Sequence, residues 1–193
     1  MANENPLRGN RREQILQAAM ALFGNHEIAQ VTTRQIAKAV GISQPSLYAH
    51  FSGLDEITVE LCCRAFDLLH ARTSAATRGA VDHTARLRAI GREYIAFGLD
   101  QSAAYRVAFM IEPMPRTEAE LERVKQAGHR AFSVLLDACR DAVGRDDEGV
   151  HALAQSMWAS VHGLVALLLA RQDFPWAERE LLIETHLSRI CRI

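Results

Sequence analysis

The chain has 193 residues, and its 22 Lys and Arg residues nearly balance its 23 Asp and Glu residues, for a formal net charge of −1. This balance excludes a uniformly basic nucleic-acid coat and an acidic disordered tail. Hydrophobic residues make up 49% of the chain, which is ordinary for a globular protein that buries a core.

The sequence also restricts the compartment in which we expect the protein. No apolar run approaches the ~20 residues of a membrane-spanning helix, since the longest candidate, Val161 to Ala170, is interrupted by His162. Residues 1–10 lack the apolar stretch of a secretory signal. Cys62 and Cys63 are adjacent and cannot readily bridge each other, and neither Cys-x-x-Cys nor a Cys–His metal spacing occurs. We therefore expect a cytoplasmic protein with no membrane partner, metal or cofactor, whose cysteines are small buried hydrophobic residues.

The hydrophobic periodicity is helical along almost the whole chain, and it predicts an all-α fold of about nine helices. A first helix begins near Arg8 or Asn10. It ends at Gly24-Asn25, because both residues tolerate the left-handed conformation of a C-terminal cap.

The second and third predicted helices are short. Thr32 and Gln35 have the spacing of a capping box, which starts a helix that ends near Val40-Gly41. Ser43 can cap the third helix, which ends around residues 51–53.

Six further helices are predicted, each bounded by a cap or a turn residue. The first five cover approximately residues 54–78, 82–98, 103–111, 117–143 and 147–172, and the last carries Leu181 to Ile190. The fourth of them begins with a second capping box, at Thr117 and Glu120.

The second and third helices and the segment Gly41-Ile42-Ser43 between them predict a helix-turn-helix, because a tight glycine-containing turn sets two helices at a large angle. Leu47 and Phe51 lie one helical turn apart and anchor the third helix, which leaves Pro45 and Tyr48 off its buried face. The second helix of such a unit places its N-terminal residues in the major groove of DNA.

Residues 8–60 resemble the tetracycline-repressor (TetR) family of bacterial transcriptional regulators. The motifs that carry this resemblance are Thr32-Thr33-x-x-Ile36-Ala37, Gly41-Ile42-Ser43 and Leu47-Tyr48-x-His50-Phe51. The resemblance implies a DNA-binding domain at residues 8–53 and a helical effector-binding and dimerisation domain at residues 54–193.

The function that the resemblance implies is that of a ligand-responsive regulator and homodimer, in the first place a repressor that a small, mostly apolar effector releases from a palindromic operator. A helix-turn-helix module for protein interaction, and a regulator without an effector, stay open as alternatives, and activation is not excluded. An enzyme is not expected, since the sequence has no Gly-x-Ser-x-Gly, phosphate-loop or His-Glu-x-x-His motif.

Candidate DNA contacts follow from chemistry and from the resemblance together. Arg34 is suited to guanine, Gln44 to adenine and the Pro45 ring to a thymine methyl group, while the resemblance implies phosphate contacts for Tyr48 and His50. Outside this motif, Tyr48 and His50 would be partly buried core residues and Arg34 a solvated charge. The complete candidate set is Thr33, Arg34, Gln44, Pro45, Ser46, Tyr48 and His50.

Two positions depart from the family pattern. Leu54 stands where the family usually has a lysine that holds a phosphate together with the next helix N-terminus, so one phosphate contact per half-site is expected to be missing. Glu27 stands where the family favours a glycine, so the first helix either stops earlier, at Gly24-Asn25, or tolerates strain.

A second resemblance concerns the C-terminal half, where Met157-Trp158-x-x-x-His162-Gly163 is similar to a TetR C-terminal subtype marked by Trp, His and Gly. Gly163 would allow another helix to approach closely. The alternative is a core histidine bonded to a carbonyl beside a packed tryptophan.

An apolar effector pocket is also predicted, with plain core packing as the alternative for each residue. Its candidate lining residues are Tyr94, Phe97, Tyr105, Phe109, Met110, Met114, Met157, Trp158 and His162.

Dimerisation has a physical argument of its own. The run of residues 164–169 is apolar on all sides of its helix, and residues 181–183 are similar, so the chain or a partner must cover them. The resemblance implies that the last two helices form the dimer interface. Its candidate residues are Leu164, Leu167, Leu168, Leu182, Ile183, His186, Leu187 and Ile190.

Overall fold

A computed structural model of the chain describes residues 6–25, 31–110, 114–115 and 117–192. Within these residues the regular secondary structure is entirely helical, which confirms the predicted all-α fold with nine helices. The helices are α1 Pro6–Asn25, α2 Thr33–Val40, α3 Gln44–Tyr48, α4 Leu54–Ala76, α5 His83–Asp100, α6 Ser102–Phe109, α7 Glu118–Val143, α8 Glu148–Ala170 and α9 Arg179–Ile190.

The caps that define several of these helices are those that the sequence predicts. At α2, the Thr32 hydroxyl accepts from the Gln35 N–H at 3.3 Å while the Gln35 side chain accepts from the Thr32 N–H at 2.8 Å. At α7, Thr117 and Glu120 make the same reciprocal pair of bonds, both at 3.2 Å. Each box satisfies two backbone N–H groups that the first turn leaves without a helical partner.

The predicted end of α3 is wrong by several residues. The helix ends at Tyr48, because the His50 N–H donates to the Leu47 carbonyl at 2.9 Å and so tightens the last turn. The predicted end of α5 at Gly98 is also wrong, since the helix continues to Asp100. The predicted end of the sixth helix, at Ile111, lies outside the described residues.

The chain divides into two compact units. The first comprises Met1–Ala65 and Ala103–Gln126, with α1 to α3, the start of α4, α6 and the start of α7. The second comprises Phe66–Ser102 and Ala127–Ile193, with the rest of α4 and α7 and with α5, α8 and α9. The predicted division of binding functions at residue 54 stays a prediction.

In the first unit, α1 packs on α2 and α2 packs on α3. Ile15, Phe23, Ile36, Leu47 and Phe51 are almost completely buried there. Burial of one such side chain stabilises a fold by roughly 1.5–3 kcal/mol. The three helices therefore hold one another through a shared set of apolar side chains.

In the second unit, α5 packs against both α8 and α9. A methyl group added at Gly91 would lie 2.6 Å from Leu187 Cδ2, so the absence of a side chain at this position permits the close approach of α5 and α9. The core around Leu87 and Ile90 also contains Cys139 and Cys191. All four cysteines of the chain are buried thiols, as the sequence predicts.

Helix α8, Glu148–Ala170, is long and apolar enough to cross a membrane by length and composition, with a mean hydropathy of 1.5 over 18 residues. Uninterrupted apolar runs do not reveal it, because Gln155, Ser156 and His162 divide its sequence. The core helix of a soluble protein passes the same test. The expectation of no membrane partner therefore stays a prediction.

Candidate nucleic-acid interface

The turn between α2 and α3 has the geometry of a helix-turn-helix. Gly41 ends α2 in the left-handed conformation, with φ 73° and ψ 33°, which a side chain would strain. The Gly41 N–H donates to the Lys38 carbonyl at 3.1 Å, and the Ile42 N–H donates to the Ala37 carbonyl at 3.0 Å. These bonds redirect the chain within one residue, so α3 can begin at Gln44.

The start of α3 is well suited to negatively charged phosphates. The Ser43 hydroxyl caps it by accepting from the Ser46 N–H at 3.2 Å, and the first turn carries no acidic residue. The first turn of α2 also has no acidic residue. The positive ends of both helix dipoles are therefore not neutralised from within their own first turns.

A hydrogen-bonded link joins α2 to α3 through Thr33. Gln44 Nε2 donates to Thr33 Oγ1 at 3.2 Å, and this oxygen lies 3.4 Å from Tyr48 Oη. The second N–H of Gln44 and its Oε1 are the donor and the acceptor that an adenine edge requires. The link therefore orients the Gln44 amide and leaves its second N–H and its Oε1 available for a base edge.

All seven candidate DNA contacts lie within residues 33–50 of the first unit. Arg34 and Pro45 are exposed, and Tyr48 exposes 49% of its surface. Ser46 and His50 are half-buried, as are Thr33 and Gln44. The structure thus brings the candidates together on one helix-turn-helix, and their contacts with DNA stay predictions.

Sequence reasoning missed Arg12, which contacts the segment that follows α3. Its Nη1 donates to the His50 carbonyl at 2.8 Å, and its guanidinium carbon lies 3.9 Å from the centre of the Phe51 ring. These partners are about forty residues away in the sequence, and no local spacing rule connects them. From the sequence alone, an arginine in this basic N-terminal part of the chain would be interpreted as a phosphate ligand.

The start of α4 differs in charge from the starts of α2 and α3. Leu54 is half-buried, and Asp55 and Glu56 occupy the first turn. The Ser52 N–H donates to Glu56 Oε2 at 2.7 Å. Although burial acts in the opposite direction, hydrogen bonds from Ser52 and Arg12 lower the pKa of the Glu56 carboxyl, which stabilises its charged form. Glu27, the other departure from the family pattern, lies outside the described residues.

Three of the effector-pocket candidates form a hydrogen-bonded chain in the second unit. Trp158 Nε1 donates to Tyr94 Oη at 3.2 Å, and Tyr94 Oη lies 3.1 Å from His162 Nδ1. Since an indole nitrogen only donates, the Tyr94 oxygen accepts the hydrogen bond from Trp158. Burial lowers the pKa of the His162 imidazole, which favours its neutral form. This neighbour of Nδ1 is a hydroxyl, and the choice between a pocket wall and a core histidine stays a prediction.

The other pocket candidates are divided between the units. Phe97 and Met157 are buried in the second unit. In the first unit, Tyr105 is buried with its ring centre 5.3 Å from that of Phe109, and the remaining candidates, Met110 and Met114, are exposed. Their common role in a pocket stays a prediction.

The dimer-interface candidates fall into two groups. Leu164, Ile183 and Leu187 are buried by the chain's own residues and are part of its core. Leu167 exposes 51% of its surface, and the half-buried candidates are Leu168, Leu182, His186 and Ile190.

No described helix of this chain approaches Gly163 closely, and the expected approach of another helix stays a prediction. A methyl group added there would meet nothing within 4 Å. The missing side chain is therefore not used for packing between the helices of this chain.

Comparison with known families identifies the chain in both halves. Residues 15–61 match the family model described as bacterial regulatory proteins of the tetR family. Residues 87–189, more than half of the chain, match the tetracyclin repressor-like C-terminal domain. The first match contains α2, α3 and the turn between them.

Relatives and solved structures agree with this assignment. The nucleoid occlusion factor SlmA of Enterobacter sp. (strain 638) is 28% identical over 181 residues, which cover 91% of each chain. The TetR family transcriptional regulator PfmR from Thermus thermophilus has a similar fold, with a TM-score of 0.74, 19% identity and coverage of 94% of this chain and 95% of PfmR. The transcriptional regulator FadR from Bacillus subtilis, solved in complex with stearoyl-CoA, has a TM-score of 0.73, 14% identity and coverage of 93% of this chain and 97% of FadR. The chain belongs to the tetracycline-repressor (TetR) family and is a DNA-binding transcriptional regulator.

Proposed function

We propose that this regulator is a homodimeric repressor that reads a palindromic operator with α3 and leaves it when a small, mostly apolar effector binds the second unit. The observation that carries the proposal is the α2–turn–α3 element, whose seven candidate side chains lie together beside two helix starts free of acidic residues. A two-fold dimer presents two copies of α3 to half-sites about one helical turn of DNA apart.

The candidate contacts have distinct proposed roles. Gln44 and Arg34 offer hydrogen bonds to base edges, and Pro45 offers an apolar contact to a thymine methyl group. Tyr48 and His50 donate to phosphates, which set the register of the helix on the duplex. Thr33 and Ser46 complete the set as a phosphate and a groove contact.

DNA binding is tested by sequencing the genomic fragments that the purified protein retains and by measuring affinity for one such fragment. We expect the wild-type protein to prefer this fragment over mixed-sequence DNA by at least a thousandfold at physiological salt. The Tyr48→Ala variant is expected to lose this binding and to remain dimeric. A Tyr48→Ala protein that binds with unchanged affinity and salt dependence would contradict the role of α3.

The proposed effector site is the part of the second unit around Tyr94, Trp158 and His162. The Trp158 ring is in edge contact with Phe132, their centres 6.0 Å apart, and the hydrogen-bonded chain contains no formal charge when His162 is neutral. Such surroundings suit an apolar or aromatic compound with one polar group. The binding of stearoyl-CoA by FadR supports an apolar ligand for a protein of this fold.

A titration of tryptophan fluorescence tests this part of the proposal. The Trp176→Phe variant isolates the signal of Trp158, and the compounds are a fatty acid, an aromatic acid and a charged sugar phosphate. We expect the apolar compounds to change the signal and to release the retained DNA fragment, because a ligand that prefers one state of the protein shifts the population toward it. DNA release without any change in Trp158 fluorescence would place the effector elsewhere.

The dimer is proposed to form through exposed parts of α8 and α9. The open space at Gly163 supports this proposal, because a residue without a side chain on the surface of α8 lets a second copy approach its backbone. Two alternatives predict different results in the DNA experiments. A protein-interaction module would not retain specific DNA. A regulator without an effector would retain specific DNA, and no compound would release it.

A further inference from the structure

We propose that Arg12 is a positioning residue for DNA readout, which acts from α1 by holding the segment between α3 and α4. This segment consists of residues 49–53. The inference rests on the proposed reading of DNA by α3, and it assigns to an arginine of the N-terminal part of the chain a role other than phosphate binding.

Arg12 holds two consecutive residues of the segment by different groups. Its Nη1 donates to the His50 carbonyl at 2.8 Å, a charge-assisted bond to the backbone just after α3. Its guanidinium lies over the Phe51 ring, 3.9 Å from the ring centre, in the geometry of a cation–π contact. Phe51 is almost completely buried, so the ring itself is fixed in the core of the first unit.

Glu56 holds the next residue of the segment, Ser52. Its Oε2 accepts from the Ser52 N–H at 2.7 Å, while its Oε1 lies 3.4 Å from both Nη1 and Nη2 of Arg12. The arginine and the carboxylate thus hold the His50 carbonyl, the Phe51 ring and the Ser52 amide. The ion pair between α1 and α4 thus adds to the backbone bonds from the His50 and Phe51 N–H groups to the Leu47 carbonyl in holding the segment after the recognition helix.

The recognition helix needs such an external hold because α3 has only 5 residues. A helix of this length does not persist without tertiary contacts. Leu47 anchors α3 to the core and the Gln44–Thr33 bond links its start to α2, but neither contact holds the backbone that follows the helix. Hydrogen bonds to base edges tolerate only a few tenths of an ångström, so a further hold at the end of α3 helps to set the direction of the helix.

The same contacts make Arg12 a poor phosphate ligand. Its guanidinium already faces the Glu56 carboxylate, and Nη2 lies 3.9 Å from Glu60 Oε2. Two carboxylates beside the group reduce its attraction for a third anion. Removal of Arg12 should therefore reduce specific binding without changing the number of phosphates that the protein neutralises.

The experiment compares Arg12→Ala with Arg11→Ala, which removes the same charge from the preceding position. The Arg11 side chain donates to Gln14 on its own helix. Affinity is measured at several salt concentrations for a retained genomic fragment and for mixed-sequence DNA of equal length. For Arg12→Ala we expect at least a tenfold loss on the retained fragment, less than a twofold change on mixed-sequence DNA and an unchanged salt slope. Arg11→Ala should keep the wild-type ratio between the two DNAs.

The other outcomes overturn the assignment in distinguishable ways. Equal losses on both DNAs with a smaller salt slope would make Arg12 a phosphate ligand. Equal losses with an unchanged slope and a reduced fraction of active protein would make its role purely structural. A wild-type protein that does not distinguish the two DNAs would overturn the proposed function and the assignment together.

Arg12→Lys keeps the inference testable if Arg12→Ala fails to fold. Lysine retains the charge and one donor for the His50 carbonyl but loses the planar contact with Phe51. We expect a smaller loss of the ratio between the two DNAs than for alanine, with a wild-type salt slope and wild-type helix content. An Arg12→Lys protein with wild-type helix content and the complete loss of specific binding would contradict the role of the carbonyl bond.

Discussion

At the scale of single residues, the charge at each helix start decides how strongly we expect that part of the DNA-binding domain to attract the DNA backbone. Leu54 opens α4 where the TetR pattern has a lysine, and its half-buried side chain is followed by two carboxylates in the same turn. A phosphate near this helix start would lie close to the carboxylates of Asp55 and Glu56, and position 54 supplies no lysine to offset their charge. We therefore expect the start of α4 to contribute less to DNA affinity here than the family pattern implies.

The Leu54→Lys substitution should restore one phosphate contact per protomer. The affinity for a retained DNA fragment should rise, and the salt slope should steepen by about one unit per protomer, because each neutralised phosphate releases counterions. The measurement is a series of binding curves between low and physiological salt. Leu54→Gln, of similar length but without charge, is the control and should leave the slope unchanged. A Leu54→Lys slope equal to that of the control would show that no phosphate lies near this position.

At the scale of helices, one carboxylate connects three elements of the first unit. Glu60 on α4 accepts from Arg64 Nε at 3.1 Å and from Arg123 Nη2 on α7 at 2.8 Å, and it lies 3.9 Å from Arg12 Nη2 on α1. Although burial raises the pKa of the Glu60 carboxyl, the bonds from Arg123 and Arg64 outweigh it and leave the pKa below its ordinary value. The group is therefore more acidic in the folded chain than in the unfolded one.

The direction of this shift predicts how stability depends on pH. A carboxyl with a lowered folded pKa stabilises the fold above its unfolded pKa, about 4.5, and loses this contribution as the pH falls through the folded pKa. Glu60→Gln should lower the free energy of unfolding at pH 7 by about 1 kcal/mol, since solvent screens the half-exposed arginines. Below the folded pKa the variant and the wild type should converge.

Urea unfolding followed by circular dichroism at pH 7 and in a series of buffers below pH 4.5 checks this prediction. Glu13→Gln serves as the matched control, because Glu13 pairs with Arg64 at 2.6 Å but is half-exposed and has no part in joining α7 to α4. Its effect should be smaller than that of Glu60→Gln. A constant difference between Glu60→Gln and the wild type at every pH would show that the stabilisation does not depend on the charge.

At the scale of the whole molecule, the exposed leucines of α8 and α9 form the surface through which we propose that the dimer forms. Leu167 on α8 exposes 51% of its surface, and Leu181, which stands just after the start of α9, exposes 62%. A two-fold interface uses the same patch on both copies, so one substitution introduces two charges into it. Desolvation and repulsion of those charges then act together against association.

The variant with both Leu167→Glu and Leu181→Glu should shift from dimer to monomer by light scattering at micromolar concentration. Binding to the retained DNA fragment should weaken at least a hundredfold, because a monomer reads only one half-site. Leu68→Glu on α4 changes another exposed leucine and should stay dimeric. A double variant that remains a dimer with wild-type affinity would locate the interface elsewhere.

The features that the sequence alone predicts depend on residues close together in the chain. The capping boxes at Thr32 and Thr117 join groups three residues apart, and the turn at Gly41 requires a left-handed backbone at one position. The family resemblance likewise rests on motifs within a few turns of each other. Local patterns of residues were therefore sufficient to predict the helix count, the helix-turn-helix and the DNA-binding class.

Only the tertiary structure decided which distant groups meet. Arg12 and the His50 carbonyl are separated by 38 residues, and Tyr94 and His162 by 68, so no local period relates them. The early end of α3 and the split of the interface candidates into exposed and buried leucines also follow from packing. Local spacing determines helices and turns, because their hydrogen bonds are short in sequence. The near-balanced charge of −1 is evident from the sequence, but ion pairs between helices, such as Arg12–Glu56 and Arg123–Glu60, form only when the fold brings those helices together.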